Sequence, residues 1–546
     1  MRVLGINAVF HDSAAAVVVD GRTVAAAEEE RFSRRKHAKR AVPFSTWELP
    51  DQAIAWCLEE AGLEAGDLDA VGYSYDPSLV DPTSGGLDPT WEDLRTTFAT
   101  RASQFLKTVL PGYAPEIFTF VRHHVAHAAS AGLAAPFGPG PSLGDCAVFV
   151  ADGRGESTAM LAGEYRDRKL DILAAQRLPH SLGLLYEDLT AHLGFERSSD
   201  EYKVMALASY GTPRHLGLFR QLVYATGDGG FRTEPVDWAA LAPAGRPGTD
   251  FDERHANLAC SVQTVLEEVL LDLCGWLHRR TGSEKLALAG GVALNCVANT
   301  RLFAESPFRE IWVQPAAGDS GTALGAALTL AAEAGDDIVP MTTAALGRGW
   351  SDGEIEQILI TARVPYERPA DIAGAAAERI ASNGVVAWFQ GRAEYGPRAL
   401  GHRSLLAHPE RSDNVERLND IKGREQFRPV APMVLLDRAA EIFSRGPVPS
   451  PYMLFVHDVA PRWRDRLRAV THIDGTARVQ TVDPREDERT AALLSAFDRL
   501  TGIPVVVNTS LNTAGRPMVD SPRDALELFG SAPIDALAIG PFLVRR

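Results

Sequence analysis

Two histidines in the stretch His123-His124-Val125-Ala126-His127 have a spacing that suits metal chemistry. His123 and His127 are i and i+4, so on a helix their rings share one face about one turn apart. Two neutral imidazoles placed in this way can bind one divalent cation, with a carboxylate or water completing the shell. A pair of hydrogen-bonded core histidines is the alternative, and the spacing alone leaves both open.

Two aspartates are candidates to complete such a shell. Asp152 opens the loop DGRGE, and Asp319 lies in the segment QPAAGDSG. Each lies where a strand-like run gives way to a glycine turn, so each side chain could reach into a cleft. The alternative for both is a helix N-cap or a turn aspartate, which is the commoner role for this residue type.

A group of cationic residues suits the binding of phosphate or carboxylate. From Gln390 to Val430, eight basic residues outnumber six acidic ones in a chain whose net charge is −16. They lie in the glycine- and proline-bounded segments YGPRALGHR and KGREQFRP, where guanidinium groups can hold oxyanions bidentately. A solvated surface set paired with nearby glutamates is the alternative. The candidates are Arg398, Arg403, Lys422 and Arg428.

Two further segments present neutral polar groups or open backbone. The run from Val505 to Asn512 reads as a buried strand ending in amides and hydroxyls, which makes a good polar ligand site. In AGGVALN (289–295), paired glycines permit close approach of a ligand, and a helix start offers N–H groups to anions. Plain polar and glycine turns are the alternatives. The candidates are Asn508, Ser510, Asn512, Gly290, Gly291 and Asn295.

The elements that must position these residues occur twice. In each set a short apolar strand is followed by a polar loop and then by a hairpin. The first set is Val3–Asn7, Ala14–Val19 and Val24–Ala27, with the polar loop Phe10–Ser13. The second set is Cys146–Ala151, Thr158–Tyr165 and Leu170–Gln176, with the loop Asp152–Glu156. The repetition predicts a duplicated α/β domain whose loops face a shared cleft.

The rest of the chain predicts a second α/β unit. Leu258–Arg279 has the period of a long amphipathic helix, and Lys285–Leu288 reads as a strand. Between Ala334 and Gly353 the sequence lacks long apolar runs, which predicts a domain boundary. After it, the pattern predicts a helix over Ile372–Ser382 and a strand over Val385–Phe389.

Composition excludes several classes of protein. The 546 residues are 45% apolar and 23% charged, as in ordinary globular proteins. No stretch approaches the ~20 apolar residues of a membrane-spanning helix, and the first residues run directly into a strand, which argues against a signal peptide. Five scattered cysteines favour a reducing cytoplasm over a disulfide framework or a zinc knuckle. The net charge of −16 argues against nucleic-acid binding.

Together the motifs resemble those of the carbamoyltransferase family of antibiotic and nodulation-factor biosynthesis. The motifs run in order from residue 5 to residue 512: GINAVFHDSAA, EEERFSRRKH, RHHVAHAAS, DGRGE, LALAGGVALN, QPAAGDSGTALGAA, GRAEYGPRALGHRS, REQFRPVAP and VVVNTSLN. The resemblance implies an actin/hexokinase-like domain over 1–345, similar to the tRNA threonylcarbamoyl-transfer proteins. It also implies a linker over 346–369 and a YrdC-like α/β domain, which forms carbamoyl-adenylate, over 370–546.

The resemblance implies a two-step reaction with carbamoyl phosphate and ATP as substrates. In the second domain the carbamate would attack the α-phosphate of ATP, with Mg²⁺, and yield carbamoyl-adenylate and pyrophosphate. A substrate hydroxyl would then take the carbamoyl group in the first domain. The resemblance adds Arg478 to the four cationic candidates as a phosphate clamp, and it assigns Asn508, Ser510 and Asn512 to orientation of the nucleotide or the carbamoyl amide.

The resemblance also assigns roles in the first domain. His123, His127, Asp152 and Asp319 would hold an iron-type centre, with Fe²⁺ expected and Zn²⁺ or Mn²⁺ compatible with the same ligands. His11 and Asp12, on the first polar loop, would take the proton from the acceptor hydroxyl. Their alternative is a hydrogen-bonded loop pair. Gly290, Gly291 and Asn295 would cradle the adenylate.

Within this family, the chain as a whole resembles the members that act on aminoglycosides, which favours an acceptor of the tobramycin or kanamycin type. Aminoglycosides are polyamines, and the acidic surface of this protein would attract them. Other hydroxylated antibiotics and lipo-oligosaccharides stay open, and Asp76–Pro115 is expected to shape the acceptor pocket. A tRNA threonylcarbamoyl-transfer protein, a hydrogenase-maturation carbamoyltransferase and a non-enzymatic actin-like protein are the competing interpretations. No nucleic-acid or membrane partner is expected, and a homodimer is compatible with the resemblance.

Overall fold

The amino-terminal unit contains two five-stranded sheets in a computed structural model that describes residues 1–37, 49–81, 89–137, 145–246 and 251–546. Its strands are β1 Arg2–Asn7, β2 Ala14–Val19, β3 Arg22–Glu28, β4 Ala70–Tyr73, β5 Phe118–Phe120, β6 Cys146–Ala151, β7 Thr158–Arg166, β8 Lys169–Arg177, β9 Val223–Ala225, β10 Phe231–Thr233, β11 Lys285–Ala289 and β12 Glu310–Val313. Its helices are α1 Glu30–Ser33, α2 Asp51–Glu60, α3 Pro89–Thr100, α4 Ala102–Val109, α5 His123–Gly132, α6 Leu182–His192, α7 Glu201–Ala208, α8 Leu216–Leu222, α9 Trp238–Leu241, α10 Glu253–Thr281, α11 Cys296–Glu305 and α12 Ser320–Glu333.

The two sheets share one topology. In the first, β1 pairs antiparallel with β2 and parallel with β4, and the strand order is β3-β2-β1-β4-β5. In the second, β6 pairs antiparallel with β7 and parallel with β11, and the order β12-β11-β6-β7-β8 repeats the same pattern. The predicted duplication is therefore confirmed, and both predicted hairpins lie within a residue or two of their expected bounds.

Two helices rich in small residues lie against these sheets and against each other. Helix α12 packs on β1 and β2, while α5 packs on β6 and β11. Their backbones approach closely, because a Cβ added at Gly325 of α12 would lie 1.7 Å from the carbonyl oxygen of Ala126 in α5. A similar addition at Gly5 of β1 would lie 1.9 Å from the carbonyl oxygen of Ala323. Glycine at these positions lets the two helices bring their amino-terminal ends into one site.

Local signals in the sequence explain the longest helix. Asp252 caps α10 by accepting hydrogen bonds from the N–H groups of Arg254 and His255. Gly282 ends it with φ of 68°, in the left-handed conformation that favours glycine. The predicted helix over Leu258–Arg279 lies inside these bounds.

The carboxy-terminal unit is built on a mixed seven-stranded sheet of order β19-β15-β20-β14-β13-β21-β22. Its strands are β13 Val386–Phe389, β14 Arg403–Ala407, β15 Ala431–Leu435, β16 Phe443–Ser444, β17 Val456–Val459, β18 Thr476–Arg478, β19 Gln480–Val482, β20 Val505–Ser510, β21 Ala536–Ile539 and β22 Phe542–Arg545. Its helices are α13 Asp352–Thr361, α14 Ile372–Ala381, α15 Asp413–Lys422, α16 Leu436–Ile442, α17 Pro461–Arg464, α18 Glu488–Thr501 and α19 Pro522–Ser531. The fold is of the predicted α/β class.

The chain divides into two compact units, Met1–Thr342 and Thr343–Arg546. The segment 346–369, expected to be a linker, contains α13 instead. Ile355 and Leu359 on one face of that helix are buried in the core of the second unit, so the segment is part of that unit. None of the helices in the described ranges is long and apolar enough to cross a bilayer.

Candidate metal centre and nucleotide site

The four residues predicted to bind a metal lie together in the first unit. The Nε2 atom of His123 lies 3.4 Å from Oδ2 of Asp152 and 3.6 Å from Oδ1 of Asp319, and both distances from Nε2 of His127 are 3.6 Å. All four residues are buried. Two ligands that each lie about 2.1 Å from one ion are separated by distances of this size.

Three separate elements deliver these side chains. His123 and His127 are on the first turns of α5, with ring centroids 4.7 Å apart. Asp152 directly follows β6, and Asp319 directly precedes α12. Asp319 makes no side-chain cap to its helix, so its carboxylate is not used as an N-cap. The N-cap alternative is thus disfavoured for Asp319.

Neighbouring polar groups orient the ligands. The Nδ1 atom of His123 lies 3.2 Å from the carbonyl oxygen of Ser74, and donation of a proton there leaves Nε2 as the lone-pair nitrogen. The N–H of Gly291 donates to Oδ1 of Asp152 at 2.8 Å, which leaves Oδ2 to face the histidines. Glu156 accepts from the N–H of His123 at 2.7 Å and from the N–H of Asp76 at 3.0 Å. It therefore anchors the start of α5.

The donor set fits a divalent cation. Within the described ranges, the Nε2 atoms of His123 and His127 are buried and have no hydrogen-bond partner. Buried nitrogens without a partner are costly, and two imidazoles with two carboxylates suit Fe²⁺, Mn²⁺ or Zn²⁺. Burial opposes charge here, yet Asp152 and Asp319 raise the pKa of His123 well above its usual value. A cation would therefore compete with the proton on His123.

A second group of possible ligands is satisfied by hydrogen bonds. Asp12, Glu30 and His37 have donor atoms close enough to hold one ion. However, Nδ1 of His37 lies 2.8 Å from Oδ1 of Asp12, and the N–H of His37 donates to Glu30 at 2.8 Å. Lys36 also lies 3.5 Å from the Glu30 carboxylate. This group is therefore better described as a hydrogen-bonded network.

The predicted catalytic pair lies beside the four-ligand cluster. Nδ1 of His11 is 2.9 Å from Oδ2 of Asp12, and Nε2 of His11 is 3.9 Å from Oδ2 of Asp319. Asp12 and the nearby Phe10 adopt φ values of 54° and 59°, which is unusual for residues other than glycine and is found at functional sites. Burial alone would lower the pKa of His11, but Asp319 and Asp12 raise it to about 10.

The surroundings of this pair combine aromatic, cationic and acidic groups. The Arg95 guanidinium lies 4.5 Å from the centre of the Phe10 ring, and the Arg154 guanidinium lies 5.6 Å from it. Burial raises the pKa of Glu187, and burial together with the charge of Glu187 raises the pKa of Glu201 to about 7. Both glutamates lie close enough to His11 to interact with its charge.

The glycine segment after β11 supports the cluster. Gly290 has φ of 89°, and a Cβ there would lie 2.2 Å from the carbonyl oxygen of Ala151. Gly291 binds Asp152, as described above. Asn295 caps α11 and exchanges hydrogen bonds with the amide of Gln263, at 2.8 and 3.1 Å. The side chain of Asn295 is therefore engaged within the protein, and its predicted contact with an adenylate stays a prediction.

Three of the residues predicted to bind the nucleotide converge in the second unit. The ammonium of Lys422 lies 3.0 Å from Oγ of Ser510 and 2.6 Å from Oδ1 of Asn512, and it also contacts their carbonyl oxygens. Lys422 is 4% exposed and is the sole lysine between residues 343 and 546 of the sequence. A buried ammonium held by neutral oxygens is suited to receive an anion.

Two other candidates hold the backbone near this cluster. Arg403 is fully buried, and its guanidinium donates to the carbonyl oxygens of Gln390, Gly391, His402 and Arg348. Asn508 is 1% exposed and donates to the carbonyl oxygen of Ala399 and to Oε1 of Gln480. Both side chains are better placed to position the loop that carries Arg398 than to contact phosphate.

The remaining cationic candidates are partly exposed. Arg398 follows Pro397 in the loop between β13 and β14, and Arg478 ends β18. Arg428 lies 3.5 Å from Glu425, and its carbonyl oxygen accepts from Nδ2 of Asn419 at 3.1 Å. Because Asn419 is on α15 with Lys422, this contact fixes the Arg428 loop against the helix that carries the lysine.

Sequence reasoning missed several residues that organise these sites. Glu394 is buried, and its Oε1 accepts from the N–H groups of Leu400, His402 and Arg403. Burial raises its pKa, but the charge of His402, the N–H of Leu400 and the charge of Arg403 lower it overall. Glu156, His37 and Asn7 were also missed. Asn7 donates to the carbonyl oxygens of His11 and Asp12 at 3.0 and 3.1 Å, so it holds the backbone of the His11–Asp12 pair.

Comparison with known proteins identifies relatives of both units. The family model described as Carbamoyltransferase N-terminus matches residues 2–83 and 107–328, and that described as Carbamoyltransferase C-terminus matches 377–546. An uncharacterized protein of Synechocystis is 37% identical and the match covers 100% of this chain and 96% of that protein. The nodulation protein NolNO of Sinorhizobium fredii is 37% identical over 99% of this chain and 80% of its own length.

A further nodulation protein and a solved structure are also similar to this chain. The nodulation protein NolO of Bradyrhizobium diazoefficiens is 37% identical over 78% of this chain and 79% of its own length. Among solved structures, HypF of T. kodakarensis aligns with a TM-score of 0.33 at 16% identity, covering 62% of this chain and 49% of that one. The fold rests on the repeated sheet topology, independently of that weak likeness.

Proposed function

Because the chain belongs to the carbamoyltransferase family, we propose that it is an ATP-dependent O-carbamoyltransferase that works through carbamoyl-adenylate. The acceptor is a hydroxyl of an antibiotic, and an aminoglycoside is the first class to test. Each unit performs one half of the reaction. The observation that carries the proposal is the buried set of two histidines and two aspartates beside the His11–Asp12 pair.

Activation of the carbamoyl group is assigned to the second unit. Water hydrolyses carbamoyl phosphate to carbamate and phosphate, and an oxygen of the carbamate then attacks the α-phosphorus of ATP as pyrophosphate leaves. Lys422 stabilises the negative charge that develops there, together with Arg398, Arg428 and Arg478. Ser510 and Asn512 orient the substrate, whereas Arg403 and Asn508 hold the loop backbone. Mg²⁺ is expected to accompany ATP.

Transfer is assigned to the first unit. The acceptor oxygen forms a bond to the carbamoyl carbon, the bond from that carbon to the phosphate oxygen breaks, and AMP leaves. The proton of the hydroxyl passes to Nε2 of His11, whose Nδ1 donates to Asp12. The proposal also assigns the adenylate to the segment of Gly290 and Gly291, two glycines that pack closely on Ala151 and Asp152.

A metal ion would be held by His123, His127, Asp152 and Asp319. Fe²⁺ is expected there, and when bound it would supply Lewis-acid polarisation of the carbamoyl carbonyl. Its positive charge would also offset the carboxylate charge that raises the pKa of His11, so that His11 can accept a proton near neutral pH.

The acidic residues near His11 support a polyamine acceptor. Asp12, Glu187 and Glu201 are close enough to influence His11, and ammonium groups would neutralise them. Within the expected acceptor region 76–115, residues 82–88 lie outside the described ranges. Arg95 of α3 lies over the Phe10 ring, which brings the described part of that region to the site. The nodulation relatives favour, as a second candidate, an acceptor outside the aminoglycosides.

The test is mass spectrometry of the products formed from carbamoyl phosphate, ATP and a panel of acceptors. The panel contains aminoglycosides, other hydroxylated antibiotics, lipo-oligosaccharides, and threonine with tRNA. A carbamoylated aminoglycoside is the expected product. Carbamoylation of another alcohol would retain the reaction and replace the acceptor, whereas a threonylcarbamoylated tRNA would overturn the proposal.

A further inference from the structure

Four side chains form a continuous hydrogen-bonded chain that ends at the candidate metal centre. Oγ of Ser199 lies 2.8 Å from Nε2 of His37, and Nδ1 of His37 lies 2.8 Å from Oδ1 of Asp12. The other oxygen of Asp12, Oδ2, lies 2.9 Å from Nδ1 of His11. Asp12 therefore has one oxygen for each histidine. Ser199 is 162 residues from His37 in the sequence, so tertiary structure alone creates the contact.

One assignment of donors and acceptors satisfies every hydrogen bond among these four side chains. Asp12 accepts at both oxygens, so His11 and His37 each donate from Nδ1. Nε2 of His37 then accepts from the hydroxyl of Ser199, and Nε2 of His11 points toward Asp319. The tautomers are assigned from this network. Without His37, one oxygen of Asp12 would lose its donor and the carboxylate could rotate away from His11.

The backbone around the chain is strained in the way expected of a functional site. Asp12, His37 and Ser198 adopt φ values of 54°, 58° and 56°. A non-glycine residue in this region costs on the order of 1–3 kcal/mol and persists when surrounding contacts impose it. Those contacts are present for two of the three. The buried Glu30 accepts from the N–H of His37, and Glu201 accepts from the N–H of Ser198 at 2.7 Å.

We propose that His37 and Ser199 are positioning residues for carbamoyl transfer, which fix Asp12 and, through it, the ring of His11. The inference rests on the proposed function, because it needs His11 to act on the acceptor. Ser199, His37 and Asp12 also have the order of a serine nucleophile, its base and the orienting acid. Glu201 accepts from the N–H of Ser198, the residue before Ser199, and its carboxyl group argues against that role because a carboxylate there would repel an oxyanion.

The test uses substitutions that separate the two ends of the His37 ring. The Nδ2 of an asparagine occupies the place of the histidine Nδ1, so His37→Asn keeps the donor to Asp12. The amide of His37→Gln reaches the place of Nε2, so this variant keeps the contact with Ser199 and loses the contact with Asp12. Transfer to the acceptor is measured as kcat and KM, pyrophosphate exchange reports on the other half reaction, and thermal unfolding reports on folding.

We expect His37→Gln to lower kcat for transfer by about 10-fold to 100-fold, as loss of a positioning partner does elsewhere. KM for the acceptor and pyrophosphate exchange should stay within about 2-fold of the wild type, because neither depends on the orientation of His11. His37→Asn should recover most of the loss, and Ser199→Ala should fall between the two. Equal losses in His37→Asn and His37→Gln, or a loss confined to KM, would overturn the inference.

Two further measurements separate this inference from the proposed function. Crystal structures of the wild type and His37→Gln show directly whether Asp12 and His11 turn away from each other; unchanged orientations overturn the inference even where transfer is not observed. Absence of transfer by the wild type with every acceptor overturns the proposed function alone. Intact-mass analysis after incubation with carbamoyl phosphate and ATP covers the nucleophile alternative, and a carbamoyl group on Ser199 would overturn the positioning role.

Discussion

Buried polar atoms without a partner are costly, and the Nε2 atoms of His123 and His127 are two such atoms among the described residues. They face two carboxylates across a gap that one cation would fill. In the second unit, Lys422 is an ammonium buried among neutral oxygens. The first arrangement suits a cation and the second suits an anion. Each supports a prediction for a single residue.

His127→Ala should stop transfer and spare activation. Removal of one imidazole takes away one of four ligands, so affinity for Fe²⁺ or Mn²⁺ should fall by more than about 100-fold, beyond the loss expected for an outer-shell partner. The measurements are equilibrium metal binding and the two half reactions. Asp319→Asn, which has nearly the same shape, should behave in the same way. Loss of pyrophosphate exchange in parallel with transfer would contradict the assignment of the two steps to separate units.

Lys422→Ala should abolish activation. Removal of one donor to a developing negative charge costs about 100-fold to 1,000-fold in rate, and we expect that loss in carbamoyl-phosphate-dependent exchange of pyrophosphate into ATP. Arg468→Ala is the matched control, because its side chain is 59% exposed and pairs with Asp465 on the surface. Similar exchange rates in both variants would contradict the assignment of Lys422 to the nucleotide site.

At the scale of elements, the metal centre depends on how closely α5 and α12 approach. Gly325→Ala places a methyl group on the carbonyl oxygen of Ala126, so one helix must move. Overpacking of this kind costs about 1–3 kcal/mol, and the shift separates Asp319 from the histidines. We expect a lower melting temperature and weaker metal binding.

Gly217→Ala provides the control for this helix contact. Gly217 lies in α8, and a Cβ added there meets nothing within 4 Å. An alanine in a helix is favoured over glycine by up to about 1 kcal/mol, so this variant should be as stable as the wild type or more so. If Gly325→Ala and Gly217→Ala had the same stability, the close approach of α5 and α12 would not contribute to the stability of the fold.

A buried cap gives α2 a pH-dependent contribution to stability. Glu29 accepts from the N–H of Ala53 and from the amide of Gln52, both at 2.9 Å. Burial raises its pKa from 4.5 to about 7, against the lowering effect of the Ala53 N–H. The folded state therefore holds a proton that the unfolded chain releases between these pH values, so stability falls as pH rises from about 4.5 to about 7.

Glu29→Gln should remove that loss. An amide can keep the contact with Ala53 and has no proton to release, so the variant should match the wild type near pH 4.5. At pH 8 it should be more stable by up to about 3 kcal/mol. Urea unfolding at several pH values measures this, with Glu59→Gln, on the exposed side of α2, as the control. Parallel pH profiles for Glu29→Gln and the wild type would show that Glu29 keeps an ordinary pKa.

At the scale of the whole molecule, the sequence predicted the repeated α/β unit because short apolar strands and glycine turns are local signals. The spacing of His123 and His127 suited one face of a helix, and Asp152 and Asp319 were proposed as ligands because each follows a strand-like run, where ligands collect. These predictions needed no knowledge of distant partners.

The residues that the sequence did not reveal depend instead on partners far away in the sequence. Glu156 contacts a backbone N–H 33 residues away, and His37 contacts Ser199 across 162 residues. A polar residue type does not reveal such a partner. The same limit explains why the contacts of Arg403 and Asn508 with backbone carbonyl oxygens were not foreseen. Those contacts follow from the tertiary fold, and the nucleotide role of both residues stays a prediction.

The nucleotide products tell most directly whether carbamoyl-adenylate links the two units. Carbamoyl phosphate, ATP and an acceptor are incubated with the enzyme, and nucleotides, pyrophosphate and carbamoylated acceptor are quantified together. One AMP and one pyrophosphate should appear for each carbamoyl group transferred, and pyrophosphate exchange should require carbamoyl phosphate. Formation of ADP in place of AMP and pyrophosphate in step with transfer, or transfer without ATP, would contradict an adenylate intermediate.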